Sequence, residues 1–353
     1  MKLQENVSLA PYTTLKVGGP ARFFCEVTRE EEILEAVRLA KEKKLPIFVL
    51  GGGSNVLVSD KGFEGVVIRL CNSQLAIRDL NIICDGGCQL SKVVSGSAKA
   101  GLAGLEWAAG IPGTVGGAVW GNAGAFGGEM ADIVQFVKVL EIPNLSKIQI
   151  FFQGSTFPLS RLNRDNSSRS NLETPKNFKF QISNFKNSDC EFDYKSSVFK
   201  QNPNLIILSA TLKLKKGDRA ESEEKIKEIL TKRREKQPLD FPSAGSFFKN
   251  PRLHQGFSGQ SAAKSRELIE KFEKDTGEKA RNNTIPAGYI IEALGLKGKK
   301  IGGAMVSHKH ANFLVNTGNA KAEDFVILAA IIKTRARNRF GIQLKEEVQM
   351  IGF

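Results

Sequence analysis

The period of the apolar positions changes repeatedly along this 353-residue chain, and each change predicts an element. A short apolar run from Phe23 to Val27 predicts a strand. Thr28-Arg-Glu-Glu31 then matches a capping box, and Ile33, Leu34, Val37 and Ala40 follow at helical spacing. Pro46 stops that helix and Ile47-Phe-Val-Leu50 predicts the next strand, so the chain opens as β-α-β. Short strands are expected from Gly65 to Leu90, a helix from Ser91 to Ala100, and strands at Ile133–Leu140, Lys147–Phe152 and Leu205–Leu214. Together these make a second mixed unit. Residues 154–189 show no sustained period and read as an irregular insertion. An amphipathic helix at Ala220–Glu235, stopped by Gln237-Pro238, opens a third unit, which carries a second polar insertion at 252–285 with a helix at Ala262–Lys274. A long helix at Ala322–Phe340 turns Ile327, Leu328, Ile331 and Ile332 inward and is closed by Gly341. In the final strand, 342–351, Ile342, Leu344, Val348 and Met350 share one face, and Gln343, Lys345, Glu347 and Gln349 the other.

Three glycine-rich blocks interrupt these patterns: Lys16-Val-Gly-Gly-Pro20, Leu50-Gly-Gly-Gly-Ser-Asn55 and the stretch from Gly110 to Gly128. Glycine inside a helix or strand costs roughly 0.5–1 kcal/mol against alanine, so clusters this dense need a compensating use. The use that fits is close approach of backbone to a phosphate-bearing ligand. Asn55-Val-Leu-Val-Ser59 reads as a strand, whereas a Rossmann fingerprint requires a helix after its glycines. The second block therefore predicts a nest of backbone N–H groups with no helix behind it.

Composition narrows the class. The chain is 41% hydrophobic, has no apolar run near the ~18–20 residues that cross a bilayer, and opens without a secretory core, so a cytoplasmic protein is expected. Cys25, Cys71, Cys84, Cys88 and Cys190 are a poor disulfide framework and read as small buried residues. No metal is expected: Cys84 and Cys88 have no second pair, and His308 and His310, on one side of a strand, have only distant His254 as a third ligand. The net charge of +14 favours a polyanionic partner. Nucleic acid fits less well than a small ligand bearing several phosphates, because the basic residues are dispersed and only Phe178-Lys-Phe180 interleaves them with aromatics.

Taken in order, the blocks resemble the UDP-N-acetylenolpyruvoylglucosamine reductase family of flavoenzymes. The matching segments are Tyr12–Pro20, Leu50–Val58, Gly104–Gly117, Asn122–Gly128, Cys190–Lys200, Gln237-Pro-Leu, Pro242–Pro251, Leu294–Gly298, Ser307–Phe313 and Glu347-Val348. They cover nearly the whole chain apart from the two polar insertions. The short path from Phe199-Lys200 to Leu205 resembles the branch that lacks an extra substrate-covering loop.

The resemblance implies an α+β protein with an FAD-binding fold of the vanillyl-alcohol-oxidase type. FAD-binding subdomains are expected at 1–70 and 71–217 and a substrate domain at 218–353, with the final strand returning toward the flavin. It implies NADPH-dependent reduction of UDP-N-acetylglucosamine enolpyruvate to UDP-N-acetylmuramate in peptidoglycan synthesis, by a cytoplasmic monomer that engages neither nucleic acid nor membrane. FAD is expected to be non-covalent, since all three histidines lie outside the glycine blocks. By motif, Gly18, Leu50, Gly51, Gly52, Gly53, Ser54, Asn55, Val56, Gly110, Pro112, Gly113, Thr114, Gly116, Gly117, Asn122 and Gly124 would line FAD. Tyr194, Arg233, Lys249, Asn250, His310 and Asn312 would bind substrate, with Arg234 a further basic candidate.

In the implied reaction NADPH reduces FAD, and hydride then passes to the terminal vinyl carbon of an enolpyruvyl ether. The negative charge left beside the carboxylate needs an acid and a stabilising positive or hydrogen-bonding group. Ser246, in a flexible Ala-Gly-Ser turn, matches the proton donor, although such a hydroxyl in isolation would read as a turn stabiliser. Glu347 matches the catalytic carboxylate, and its alternative as a solvated acid, or a role for adjacent Glu346, stays open on pattern alone. The family's Tyr-Arg-x-Ser appears here as Tyr194-Lys-Ser-Ser197, so Lys195 stands where an arginine polarises the substrate carboxylate. Lysine keeps the charge and loses the bidentate fork. Two other readings remain, a same-fold flavin oxidase or dehydrogenase acting elsewhere and a basic nucleic-acid-binding protein.

Overall fold

Three sheets of four or five strands follow one another in the computed structural model, which describes residues 1–142, 180–253, 260–280 and 284–353. The expected strand at 147–152, most of the 154–189 segment and His254 lie outside these residues. The first sheet runs in the order Lys2–Ser8, Pro20–Val27, Phe63–Leu70, Ile47–Leu50, antiparallel in its first pair and parallel thereafter. The helix Glu30–Glu42 crosses between two of these strands and buries Ile33, Ala36, Val37 and Ala40. Its capping carboxylate is Glu32, not Glu31: Oε2 of Glu32 accepts from the backbone N of Thr28 at 2.8 Å and of Arg29 at 3.3 Å. The helix starts at Glu30, which places Glu32 at the third position, where a carboxylate can reach back.

The second sheet has five antiparallel strands, in the order Gln181–Lys186, Val134–Glu141, Leu205–Lys213, Asn81–Asp85, Leu75–Arg78. Gln181–Lys186 corrects the reading of an irregular segment up to residue 189. It is an edge strand with no fully buried residue, and only Ser183 and Phe185 are half-buried, so the alternation in its sequence is faint. The helix Arg219–Lys236 also departs from expectation. Its buried residues are Ser222 and Arg233, while Ile226, Ile229 and Leu230 rest on the core of the second sheet. Ser222 donates to Glu106 at 2.6 Å and Arg233 Nε to the Ala109 carbonyl at 2.8 Å, so polar bonds clamp the helix to the middle unit.

The third sheet runs Ser243–Ser246, Phe313–Asn316, Ala304–Val306, Lys300–Ile301, with the helices Gln260–Thr276, Ala287–Ala293 and Ala322–Phe340 around one core. On the last helix the buried stripe is Phe325, Leu328, Ala329, Ile332 and Ala336. Ile327 is 41% exposed and Ile331 half-buried, because packing centres the stripe on Phe325. Gly341 closes the helix at φ 70°. His308 and His310 sit in the turn between Ala304–Val306 and Phe313–Asn316, not on a strand.

The chain end ties the units together. Regular strand is confined to Gln349–Ile351, which pairs in parallel with Val56–Val58. Before it, residues 345–348 run beside Phe247–Lys249, with Glu347 N bonded to the Phe247 carbonyl and Lys249 N to that of Lys345. One hydrophobic cluster spans the first two sheets, joining Val27, Ile47, Val66 and Ile68 to Leu140, Ile142, Ile206 and Leu208. The register of the long helix gives a direct test. Phe325→Ala should cost about 3–5 kcal/mol in urea unfolding, as emptied aromatic sites do, and Ile327→Ala under about 0.5 kcal/mol.

Candidate active site

The second and third glycine turns abut. A methyl group on Gly52 would come within 2.6 Å of Gly113 Cα, and one on Gly51 within 2.6 Å of Thr114 Oγ1. Ser54 Oγ donates across the same seam to the Pro112 carbonyl at 3.1 Å. Gly53 takes φ +62° against the Tyr12 carbonyl, leaving no room for a side chain. Only hydrogen at these positions lets the two turns meet.

Above the seam opens a cavity of about 710 Å³ lined by all three units. Its floor holds Leu50, Gly51, Gly52, Gly53, Ser54, Asn55 and Val56 from one turn, and Gly110, Pro112, Gly113, Thr114, Gly116, Gly117 and Gly124 from the other. Among the described residues, no protein acceptor takes the backbone N–H groups of Gly51 to Asn55. Gly116 N and Gly117 N, by contrast, are bound to Gly86 O and Thr114 Oγ1. Unpaired N–H groups lining a cavity need an outside acceptor, and successive ones in a turn suit an oxyanion. The cradle therefore fits a dinucleotide pyrophosphate at 51–55.

Two expected floor residues lie elsewhere. Gly18, at φ +141°, is packed against Val58 and Leu9, and its role is to let that turn close. Asn122 is 1% exposed, accepting from Ala131 N and donating to the Asp193 carbonyl at 3.1 Å, so it braces the loop carrying Lys195.

The opposite wall comes from the distal half. Ser246 follows Gly245, at φ +73°, and ends the strand Ser243–Ser246; its hydroxyl meets no protein partner among the described residues. Glu347 lines the same wall, held by its backbone: its N–H binds Phe247, and its carbonyl accepts from Asn55 Nδ2 at 3.2 Å and Gln349 Nε2 at 2.9 Å. Its Oε1 lies 3.2 Å from Lys195 Nζ. Glu346 instead pairs with Lys333 on the long helix at 2.8 Å, outside the cavity lining, which separates the two adjacent acids.

The charge around Glu347 is lopsided. Lys200, 9% exposed, donates to the Lys195 carbonyl at 3.0 Å and lies 4.7 Å from the centre of the Trp120 ring. Burial pushes its ammonium down to about 8, with Lys249 and Lys195 adding to the shift and Glu347 opposing it. Lys249 is lowered chiefly by burial as well. Three lysines facing one carboxylate leave an excess of positive charge for an anionic ligand.

The expected substrate residues divide. Tyr194, Arg233, Asn250 and Asn312 line the cavity; Lys249 and His310 do not. Lys249 acts through its charge from behind the wall, and His310 Nδ1 accepts from Asn312 N with its ring against Phe313. Asn312, although at the wall, spends its amide on both backbone groups of Phe248, at 3.0 and 2.8 Å, which fixes the turn after Ser246. Arg234 is likewise absent from the lining. Arg233 leaves Nη2 buried without a partner among the described residues, with its guanidinium 5.2 Å from the Phe126 ring. Gln349 was not anticipated. Its Oε1 is buried and unpaired among the described residues, Gln349 lines the cavity, and the signal was its place on the same alternating face as Glu347.

Comparison with known proteins accounts for both halves. Residues 21–144 match the FAD binding domain family model, and residues 237–351 the model described as UDP-N-acetylenolpyruvoylglucosamine reductase, C-terminal domain. The protein is thus an FAD-dependent oxidoreductase, and the cradle at 51–55 lies within the matched FAD binding domain. UDP-N-acetylenolpyruvoylglucosamine reductases from Caldanaerobacter subterraneus subsp. tengcongensis and Anoxybacillus flavithermus are 33% and 34% identical, each aligned over 99% of this chain and 94% of the relative. The crystal structure of the Thermus caldophilus UDP-N-acetylenolpyruvylglucosamine reductase is 31% identical, with a TM-score of 0.68 over 99% of both chains. This chain belongs to the UDP-N-acetylenolpyruvoylglucosamine reductase family, and the expected α+β architecture, an FAD-binding fold with a C-terminal α/β domain, is borne out.

The seam predicts a cofactor phenotype. Gly52→Ala would force the Gly113 backbone away at a cost of about 1–3 kcal/mol, or about 5- to 150-fold weaker FAD binding. The ratio of flavin absorbance to protein after desalting measures it.

Proposed function

We propose that this protein reduces UDP-N-acetylglucosamine enolpyruvate to UDP-N-acetylmuramate, with NADPH as the reductant, in peptidoglycan precursor synthesis. The observation that carries the reading is one cavity shared by the FAD cradle, a free Ser246 hydroxyl and the Lys195–Glu347 pair. Bound FAD supplies the hydride that the substrate receives at its terminal vinyl carbon. The protein's task is the remaining charge. Lys195, backed by the surplus positive field, meets the substrate carboxylate and holds the negative charge that develops there. Ser246 delivers a proton to the adjacent carbon, completing the saturated lactyl ether; a strongly basic carbanion does not need a strong acid. Glu347 orients the Lys195 ammonium at 3.2 Å.

Arg233 is assigned to a phosphate of the nucleotides. Its unpaired Nη2 is already desolvated, so an anion that reaches it regains a charge-assisted bond. Tyr194 and Asn250, joined by a 3.4 Å bond, are assigned to the substrate beside it. Among the described residues no helix is long and apolar enough to cross a membrane, and the reading has the protein acting in the cytoplasm as a monomer on small molecules. A same-fold oxidase would need the flavin cradle but not the Ser246–Glu347–Lys195 wall, and a nucleic-acid-binding protein would need neither.

Three measurements test the reading. Under anaerobic conditions, NADPH should bleach the flavin and UDP-linked enolpyruvyl-GlcNAc should restore it; bleaching without restoration would point to another substrate. Ser246→Ala should keep the first half-reaction and slow the second about 10²–10⁴-fold. Lys195→Arg should be at least as active as the parent in steady state, since it restores a planar fork for a carboxylate. A large loss there would show that Lys195 does not do an arginine's work.

A further inference from the structure

Among the described residues that line the cavity, Lys195 is the one held in a backbone conformation that disfavours its own type. Its φ is +53°, in the left-handed region, within a tight turn closed by Asp193 N to Ser196 O at 3.1 Å and Ser196 N to Asp193 O at 3.0 Å. A side chain other than glycine loses roughly 1–2 kcal/mol in that region. Two side chains from outside the turn bind its carbonyls: Asn122 Nδ2 that of Asp193, and Lys200 Nζ that of Lys195 itself. Lys200 is well placed for this. It sits in the short helix Val198–Gln201, whose first residue follows Ser197; Ser197 Oγ accepts from Lys200 N and donates to the Trp120 carbonyl at 2.7 Å. The stem of Lys200 is therefore fixed at its base and its ammonium is pinned between the Trp120 ring and one carbonyl.

We infer that Lys200 is a positioning residue for the reaction: by holding the Lys195 carbonyl it fixes the left-handed turn that aims the Lys195 ammonium at Glu347 and the substrate carboxylate. The need is specific to a lysine at residue 195. A flexible four-carbon stem with a point charge has no fork to align it, so its aim depends on where its backbone is held. Misplacement of a catalytic charge by about 1 Å can cost on the order of 10²-fold in rate.

The inference rests on the reading of Lys195 given above, and a double-mutant cycle separates the two. The flavin-containing enzyme is prepared as the parent, Lys200→Met, Lys195→Ala and the double variant, and each half-reaction is followed by flavin absorbance. Lys200→Met should slow reoxidation by UDP-linked enolpyruvyl-GlcNAc about 10- to 100-fold, with flavin content and NADPH-driven bleaching within about twofold of the parent. Because Lys200 acts through Lys195, the double variant should lose no more than Lys195→Ala alone. Additive losses, or a Lys200→Met enzyme as fast as the parent, overturn the inference. If Lys195→Ala itself reoxidises normally, the assignment of Lys195 fails and this inference with it; additive losses leave that assignment standing. Should Lys200→Met lose FAD or unfold, Lys200→Gln, polar but too short by one bond to reach the Lys195 carbonyl, takes its place in the cycle. Collapse of both would show Lys200 to be a structural residue only, and overturn the inference.

Discussion

Contact between two glycine turns is the constraint on which the molecule is built. Gly52 follows a strand of the first sheet and Gly113 precedes the helix Val115–Trp120, and nothing larger than hydrogen fits where they touch. That closeness lets N–H groups of one turn and the helix-opening turn of the other line a single floor. The clusters on either side keep the contact in place: the first two sheets share buried apolar residues, and Ser54 bonds across to Pro112. Stability and ligand binding are opposed here, because each glycine weakens its own segment and is retained where a side chain would separate the walls.

The distal half contributes through backbone more than through side chains. Glu347 is placed by three main-chain hydrogen bonds, and Ser246 by a strand end beside a left-handed glycine. Asn312 secures both backbone groups of Phe248. The groups proposed to react thus stand on hydrogen-bonded supports, while both residues line the cavity. Such preorganisation lets a weak acid and a single ammonium act without rearrangement when charge develops.

Much of this was legible in the sequence because it lay in local signals. Glycine blocks reveal backbone approach, alternation reveals strand faces, and Pro46 and Gly341 punctuate helices. What was not legible depended on partners far along the chain. Ile327 looked inward by spacing, yet the core chose Phe325. The helix at 219–236 hides its attachment in Ser222 and Arg233, residues whose polarity suggests solvent until Glu106 and the Ala109 carbonyl are seen beside them. Glu346 and Glu347 are chemically identical neighbours, and only Lys333 on one side and Lys195 on the other distinguish them. Asn122 and His310 sit inside motif blocks but bond to protein, a distinction that motif order cannot express.

The pairing of Gln349–Ile351 with Val56–Val58 links positions such as Asn55 and Glu347 that are 292 residues apart. During synthesis, the first two sheets can form long before residue 347 emerges, so a nascent chain has a cofactor floor while the acid wall is still missing. Contacts of such long range form late and slowly. The residue proposed to complete the reaction centre thereby also latches the finished chain through its backbone carbonyl, and on that reading chemistry on the substrate waits for the last strand to zip into place.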